Sequence, residues 1–168
     1  LATRRLGDTF RFLASQDATE VRVNGAVVAT LNRGQLFETI LTTASQITAN
    51  KPILVAQYSN SSSYDDVTSD PFMMLIPPYE QFLGSYTITT PASGFSKNFV
   101  NVVAPSGAVG SITLDGTPIP ASSFTAVGSS GFSGAQVPIS LGAHNLASPN
   151  SPFGVFVYGF ADFDSYGY

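Results

Sequence analysis

The sequence predicts an all-β protein made of two similar antiparallel lobes of β-sandwich or jelly-roll type, related by internal duplication. Three observations carry that prediction. Apolar and polar residues alternate over short runs, with turn signals recurring roughly every 8–12 residues. No stretch shows the three-and-four spacing of an amphipathic helix with a cap at its start. Several segments of the first half also return, in the same order, in the second.

Taken in order, the first strand falls at 9–13, where alternation puts Phe10 and Phe12 on one face. The second, 20–23, runs into Asn24-Gly25. That dipeptide is a strong hairpin signal, because both central positions of a type I′ turn need positive φ. The return strand is 27–29, followed by strands at 35–41, 44–48 and the apolar run 53–58. After a polar loop come 72–76, 85–89, 99–103, 111–114, 123–127, 136–140, 144–147 and 153–160. The eleven prolines fall mostly at strand ends and turns, where a missing N–H does little harm.

The repeat rests on matched segments. Glu20 to Gly25 matches Ser111 to Gly116 at an offset of 91, and Ala49 to Tyr58 matches Pro149 to Tyr158 at an offset of 100. Between them Phe37 sits opposite Gln136, and upstream Phe10 sits opposite Phe99. The drift places about nine extra residues in the second copy, in the Gly/Ser-rich stretch 128–134. The expected division is 1–90 for the first lobe, carrying an acidic loop at 59–71, and 91–168 for the second.

Composition narrows the function classes. Charged residues make up only 11% of the 168 residues, and hydroxyl and amide side chains take their place, as on exported β-proteins. A net charge of −4 with seven scattered basic residues builds no phosphate-binding stripe, so no nucleic acid is expected. With no cysteine there is neither a disulfide framework nor a thiolate site. No apolar run is long enough to span a bilayer. The opening at Leu1 and the close at Tyr168 read as the interior of a longer exported polypeptide, with neighbouring domains as partners.

Two acidic groups stand out. In the loop 59–71, Tyr64, Asp65, Asp66 and Asp70 sit among serines and threonines, and this loop has no counterpart inside the second copy. Carboxylates and hydroxyls are calcium ligands, so Asp65, Asp66 and Asp70 are the candidate metal set, although EF-hand spacing is absent. The alternative is a solvated loop in which Asp70 caps a turn before Pro71. Near the end, Asp162, Phe163, Asp164 and Tyr166 combine acids with aromatic rings, the chemistry of a glycan-binding face. The same residues also suit packing against the next domain. His144, the one histidine, has no Gly-x-Ser-x-Gly elbow near it and reads as a polar strand residue rather than a catalytic base. Lys51 and Lys97 raise an intramolecular lysine–asparagine crosslink, and Asn60-Ser61-Ser62 is a glycosylation sequon.

The run Asp70-Pro71 through Pro77-Pro78 to Glu80-Gln81-Phe82 adds a family signal. With it go Asn98 to Ala104, Ile112 to Gly116, His144 to Leu146, and Phe153 to Phe160 continuing into Ser165-Tyr166-Gly167-Tyr168. Together they resemble the N-terminal domain of IgG Fc-binding protein, a family that includes bacterial surface proteins. The resemblance implies an extracellular β-rich domain of a large modular protein, with protein binding or adhesion as its role. It brings no catalytic residues. The animal namesake is rich in cysteine and this chain has none, which points to the bacterial cell-surface branch.

The expected function is therefore a non-catalytic extracellular module for adhesion or binding, with a protein or glycan ligand. The rival reading is a structural spacer or self-assembling subunit of a surface layer or filament, and a hydrolase comes last.

Overall fold

The structure is a computed structural model, and the description concerns residues 1–2 and 5–168. It is all-β, as the alternation predicts. In the first half the strands are β1 (Asp8–Ala14), β2 (Thr19–Val23), β3 (Ala26–Leu31), β4 (Leu36–Leu41), β5 (Ile47–Ala49), β6 (Ile53–Tyr58) and β7 (Met73–Leu75). The second half holds β8 (Ser85–Thr89), β9 (Lys97–Pro105), β10 (Thr113–Leu114), β11 (Thr117–Pro118) and β12 (Thr125–Ala126). It ends with β13 (Phe132–Pro138), β14 (Ala143–Ala147), β15 (Gly154–Ala161) and β16 (Asp164–Gly167).

These strands form antiparallel sheets in facing pairs. The first half pairs β4-β1-β6-β7 with β3-β2-β5, and the second pairs β12-β13-β9-β15-β16 with β11-β10-β14-β8. Replacing β1 to β7 by β9, β10, β11, β13, β14, β15 and β16 converts one half into the other. Only β8 and β12 are additions.

The register sharpens the equivalence. Phe12 lies opposite Phe37 and Val55, and Val102 lies opposite Ala135 and Val155. Phe12 and Val102 are both buried, as are Ala14 and Ala104 two residues on. The equivalence of Phe10 with Phe99, and of Phe37 with Gln136, is therefore out by one residue. A one-residue slip exchanges the faces of a strand, and Phe99 points out of its own lobe while Phe10 points in.

Each lobe has its own core. Phe12, Ala14, Val21 and Leu31 fill the first. Val100, Val102, Ala104, Ile112, Leu146, Phe153 and Val157 fill the second. A third cluster joins the halves: Phe72, Met74, Ile76 and Phe82, from the chain following β6, pack on Phe99, Val103, Phe156, Tyr158 and Phe160. Those last five belong to the outer face of the large second-half sheet. Ser85–Thr89, expected on the first-lobe side of residue 90, pairs instead with β14 in the second half.

Candidate binding site

The acidic loop begins where β6 ends. Ser59 closes its neck, donating its backbone N–H to the Phe72 carbonyl (3.0 Å) while its Oγ accepts the Phe72 N–H (2.9 Å). Ser61 turns the chain with φ of 66°, and its carbonyl accepts the amides of both Tyr64 and Asp65 at 2.9 Å. The loop is strapped down from outside: the Tyr64 carbonyl accepts the N–H of Arg5 (2.7 Å) and of Leu6 (3.1 Å). Asn60 accepts from the Thr9 hydroxyl and donates to the Gly7 carbonyl.

This folding drives Asp65 inward. The side chain is buried, and neither carboxylate oxygen makes a hydrogen bond among the described residues. Its pKa is pushed up to about 6, first by burial and then by the negative charge of Asp8. Asp65 lies in the wall of a cleft of about 470 Å³. Asp66 and Thr68 join it from the loop, Phe160 and Asp162 from the end of β15, Lys97 from the start of β9, and Arg5 from the N-terminal segment.

The two acidic groups picked out from the sequence thus meet in one place, through Asp65, Asp66 and Asp162. The Ser165 hydroxyl, donating to the Asp70 carbonyl at 2.7 Å, ties the terminal hairpin to the loop. The other candidates lie outside the cleft walls. Tyr64 serves through its carbonyl. Phe163 sits at the hairpin turn with φ of 55° and is 77% exposed. Asp164 accepts the Ser165 amide. Tyr166 donates its hydroxyl to Asn98 (2.8 Å) and meets Phe95 edge-on at 5.0 Å; burial pushes its pKa up to about 12. It is a packing residue rather than an exposed ligand contact. Asp70 is not part of the cleft, and among the described residues no three of His, Cys, Asp and Glu group as a metal site would require.

Sequence reading missed the two cations. Lys97 pairs with Phe160 across β9 and β15, a position that only the register of the two strands reveals. Arg5 arrives by way of the strap on Tyr64, which has no sequence signature.

A family model described as IgGFc binding protein matches residues 1–159, nearly the whole chain. The chain belongs to the IgGFc-binding family. No curated protein and no solved structure matches it. The matched span takes in Arg5, Asp65, Asp66 and Lys97 of the cleft and stops just before Asp162. The family's description is one of binding to a protein and names no reaction.

In this member of the family the one histidine is held in a way that opposes base catalysis. His144 Nδ1 lies 2.7 Å from the Asp115 carboxylate, and Nε2 lies 2.9 Å from the Ser140 carbonyl. Both ring nitrogens face acceptors, which favours the imidazolium with a proton on each. Its pKa is raised, chiefly by Asp115, while His144 lowers that of Asp115. The Ser140 hydroxyl is 3.4 Å from Nε2, farther than the carbonyl that already takes the Nε2 proton. With no ring lone pair facing a hydroxyl, the arrangement is a clamp and not a triad. The crosslink idea finds no buried lysine: Lys97 is exposed, and Lys51 donates to the Asp17 carbonyl. Among the described residues, no helix is long and apolar enough to cross a membrane.

Proposed function

We propose that this chain is a non-catalytic extracellular binding module of a larger cell-surface protein, and that the cleft at the acidic loop takes its ligand. The observation that carries the reading is the convergence of Asp65, Asp66 and Asp162 with Arg5 and Lys97 on one concave surface. The loop that builds it has no counterpart in the other half, and binding residues are commonly carried on such loops above a rigid scaffold. Arg5, Asp66, Lys97 and Asp162 are the exposed members of this surface, while the Asp65 carboxylate is closed off from solvent. The ligand is a protein: carboxylates and cations side by side match a surface that carries both charges, and the family is described by protein binding. A glycan is the alternative. The lobes themselves are related by duplication, supported by their shared strand order and matching registers.

The test is a binding screen of the purified chain against immunoglobulin Fc, mucin and a glycan array, with calcium and again with chelator. Saturable binding to a protein target, tighter than ~100 μM or about −5.5 kcal/mol, is the expected result. No binding down to that level would replace this reading with a purely structural role.

A further inference from the structure

A buried polar group without a partner disfavours the folded state, and a buried charge without one does so more strongly. The acidic loop holds two such side chains. The Ser69 hydroxyl and both carboxylate oxygens of Asp65 are buried and make no hydrogen bond among the described residues. Asp65 is 1% exposed, although its loop neighbours Asp66, Thr68 and Asp70 are open to water.

The surroundings of Asp65 favour its neutral form. From β1 comes the carboxylate of Asp8, also buried, which accepts from the Gln57 side chain of β6 and from the Leu1 amino group. Burial first and Asp8 second raise the Asp65 pKa, while the Leu1 amino group and the Asn60 backbone oppose the rise and are outweighed. Because that amino group acts downward, the direction of the shift does not depend on its charge. The other charged groups of the cleft are exposed and balanced: Arg5 from the N-terminal segment and Lys97 from β9, against Asp66 in the loop and Asp162 after β15.

A short turn keeps Asp65 inside. Its amide and that of Tyr64 both bond to the Ser61 carbonyl, and Ser61 sits at φ of 66°, a conformation strained for a residue with a side chain. The strap from Arg5 and Leu6 ends on the Tyr64 carbonyl, one residue short of Asp65. Releasing this turn lets the carboxyl reach the water of the cleft, whose wall Asp65 helps to form.

We propose that Asp65 gates the cleft: protonated, it stays inside with the loop closed, and ionised, it turns out into the cleft and opens the turn 61–66. The outward carboxylate then joins Asp66 and Asp162 against Arg5 and Lys97, so the open cleft favours a basic patch on its protein ligand. The gate regulates the binding site proposed above and rests on that reading, but its movement needs no ligand. The closed loop holds the Asp65 proton more tightly than an exposed carboxyl does, so closure is strongest in acid. It weakens as pH rises from the ordinary 3.8 to about 6 and changes little beyond that.

Amide hydrogen exchange on the intact chain tests the gate, with each rate corrected for its intrinsic pH dependence. Between about pH 5 and about pH 7.5, protection of the Tyr64 and Asp65 amides should fall by about tenfold, while amides of the central strand β9 hold theirs. In Asp65→Asn, which keeps the shape but cannot ionise, the turn should be equally protected at both values. A wild type with unchanged protection overturns the proposal, and so does an Asp65→Asn chain that shows the same fall. A carboxyl NMR titration of the wild type checks it without any variant: a midpoint well above 3.8 is expected, and one at the ordinary 3.8 overturns it. Neither measurement uses a ligand, so a failed gate leaves the cleft reading standing, and a failed binding screen removes that reading without moving these results.

Discussion

His144 joins two loops that the sheets alone do not bring together. Asp115 sits in the turn between β10 and β11, and Ser140 lies just past β13. The imidazolium bridges them. The signs of the two pKa shifts fix how this contribution varies with pH. His144 has a folded pKa above its ordinary 6.5, so its stabilisation is complete below that value and is lost as pH rises through the raised one. Asp115 has a folded pKa below its ordinary 3.8, so its stabilisation is present above 3.8 and is lost as pH falls through the lowered one. The clamp is therefore fully formed between about pH 4 and 6.5. Raising the pH from about 6 to about 9 should lower the melting temperature of the wild type more than that of His144→Asn. Equal slopes for the two proteins would remove the clamp. The sequence showed His144 as a polar strand residue but concealed its partners, which lie 29 and 4 residues away. It likewise left Tyr166 looking like an exposed ring, because the burial of that ring depends on Asn98 of β9 and on Phe95 just before it.

At the level of elements, the hairpins were the most legible parts. Asn24 and Gly25 adopt φ of 50° and 85°, and Asp115 and Gly116 adopt 50° and 78°. In both places the side chain of the first residue reaches the same kind of partner: Asn24 exchanges two hydrogen bonds with the Gln46 backbone, and Asp115 does so with that of Asn145. Alternation found most of the long strands within a residue or two of their ends, but it placed the start of β13 four residues late. It failed where the chain tightens into 3-10 turns at Ser106–Ser111 and Ala121–Ser123, which replace the expected starts of the strands at 111 and 123. It also missed β11, two residues long with a proline, and β16, whose aromatic residues looked like a surface patch.

The segment over the second sheet was not legible as a cover, yet glycines mark its seat. A Cβ on Gly154 would run into the ring of Phe82, and one on Gly167 into the ring of Phe72. Gly154→Ala should destabilise the chain by about 1–3 kcal/mol through overpacking, read as a lower denaturant midpoint with unchanged slope. Adding Phe82→Leu should recover part of that loss. If the double variant is as unstable as the sum of the two single ones, the contact is not what Gly154 protects.

For the whole molecule, the repeated strand order explains why a cleft exists at all. One lobe ends in a long segment, that segment crosses to the next lobe, and the acidic loop within it is held against the start of β9 and the end of β15. Fold class and family were visible in one sequence because they depend on local alternation and on motifs. The site was visible only in part. Asp65, Asp66 and Asp162 stood out by type, but their meeting with Arg5 and Lys97 depends on contacts between halves that no local pattern encodes.

The measurement that bears most directly on this account is affinity for the tightest protein target of the binding screen, compared across cleft variants. Asp66→Ala, Lys97→Ala and Asp162→Ala should each weaken binding by about tenfold or more, ~1.4 kcal/mol, while Leu141→Ser, exposed but outside the cleft, leaves it unchanged. Wild-type affinity in all three cleft variants would place the binding surface elsewhere and contradict the account.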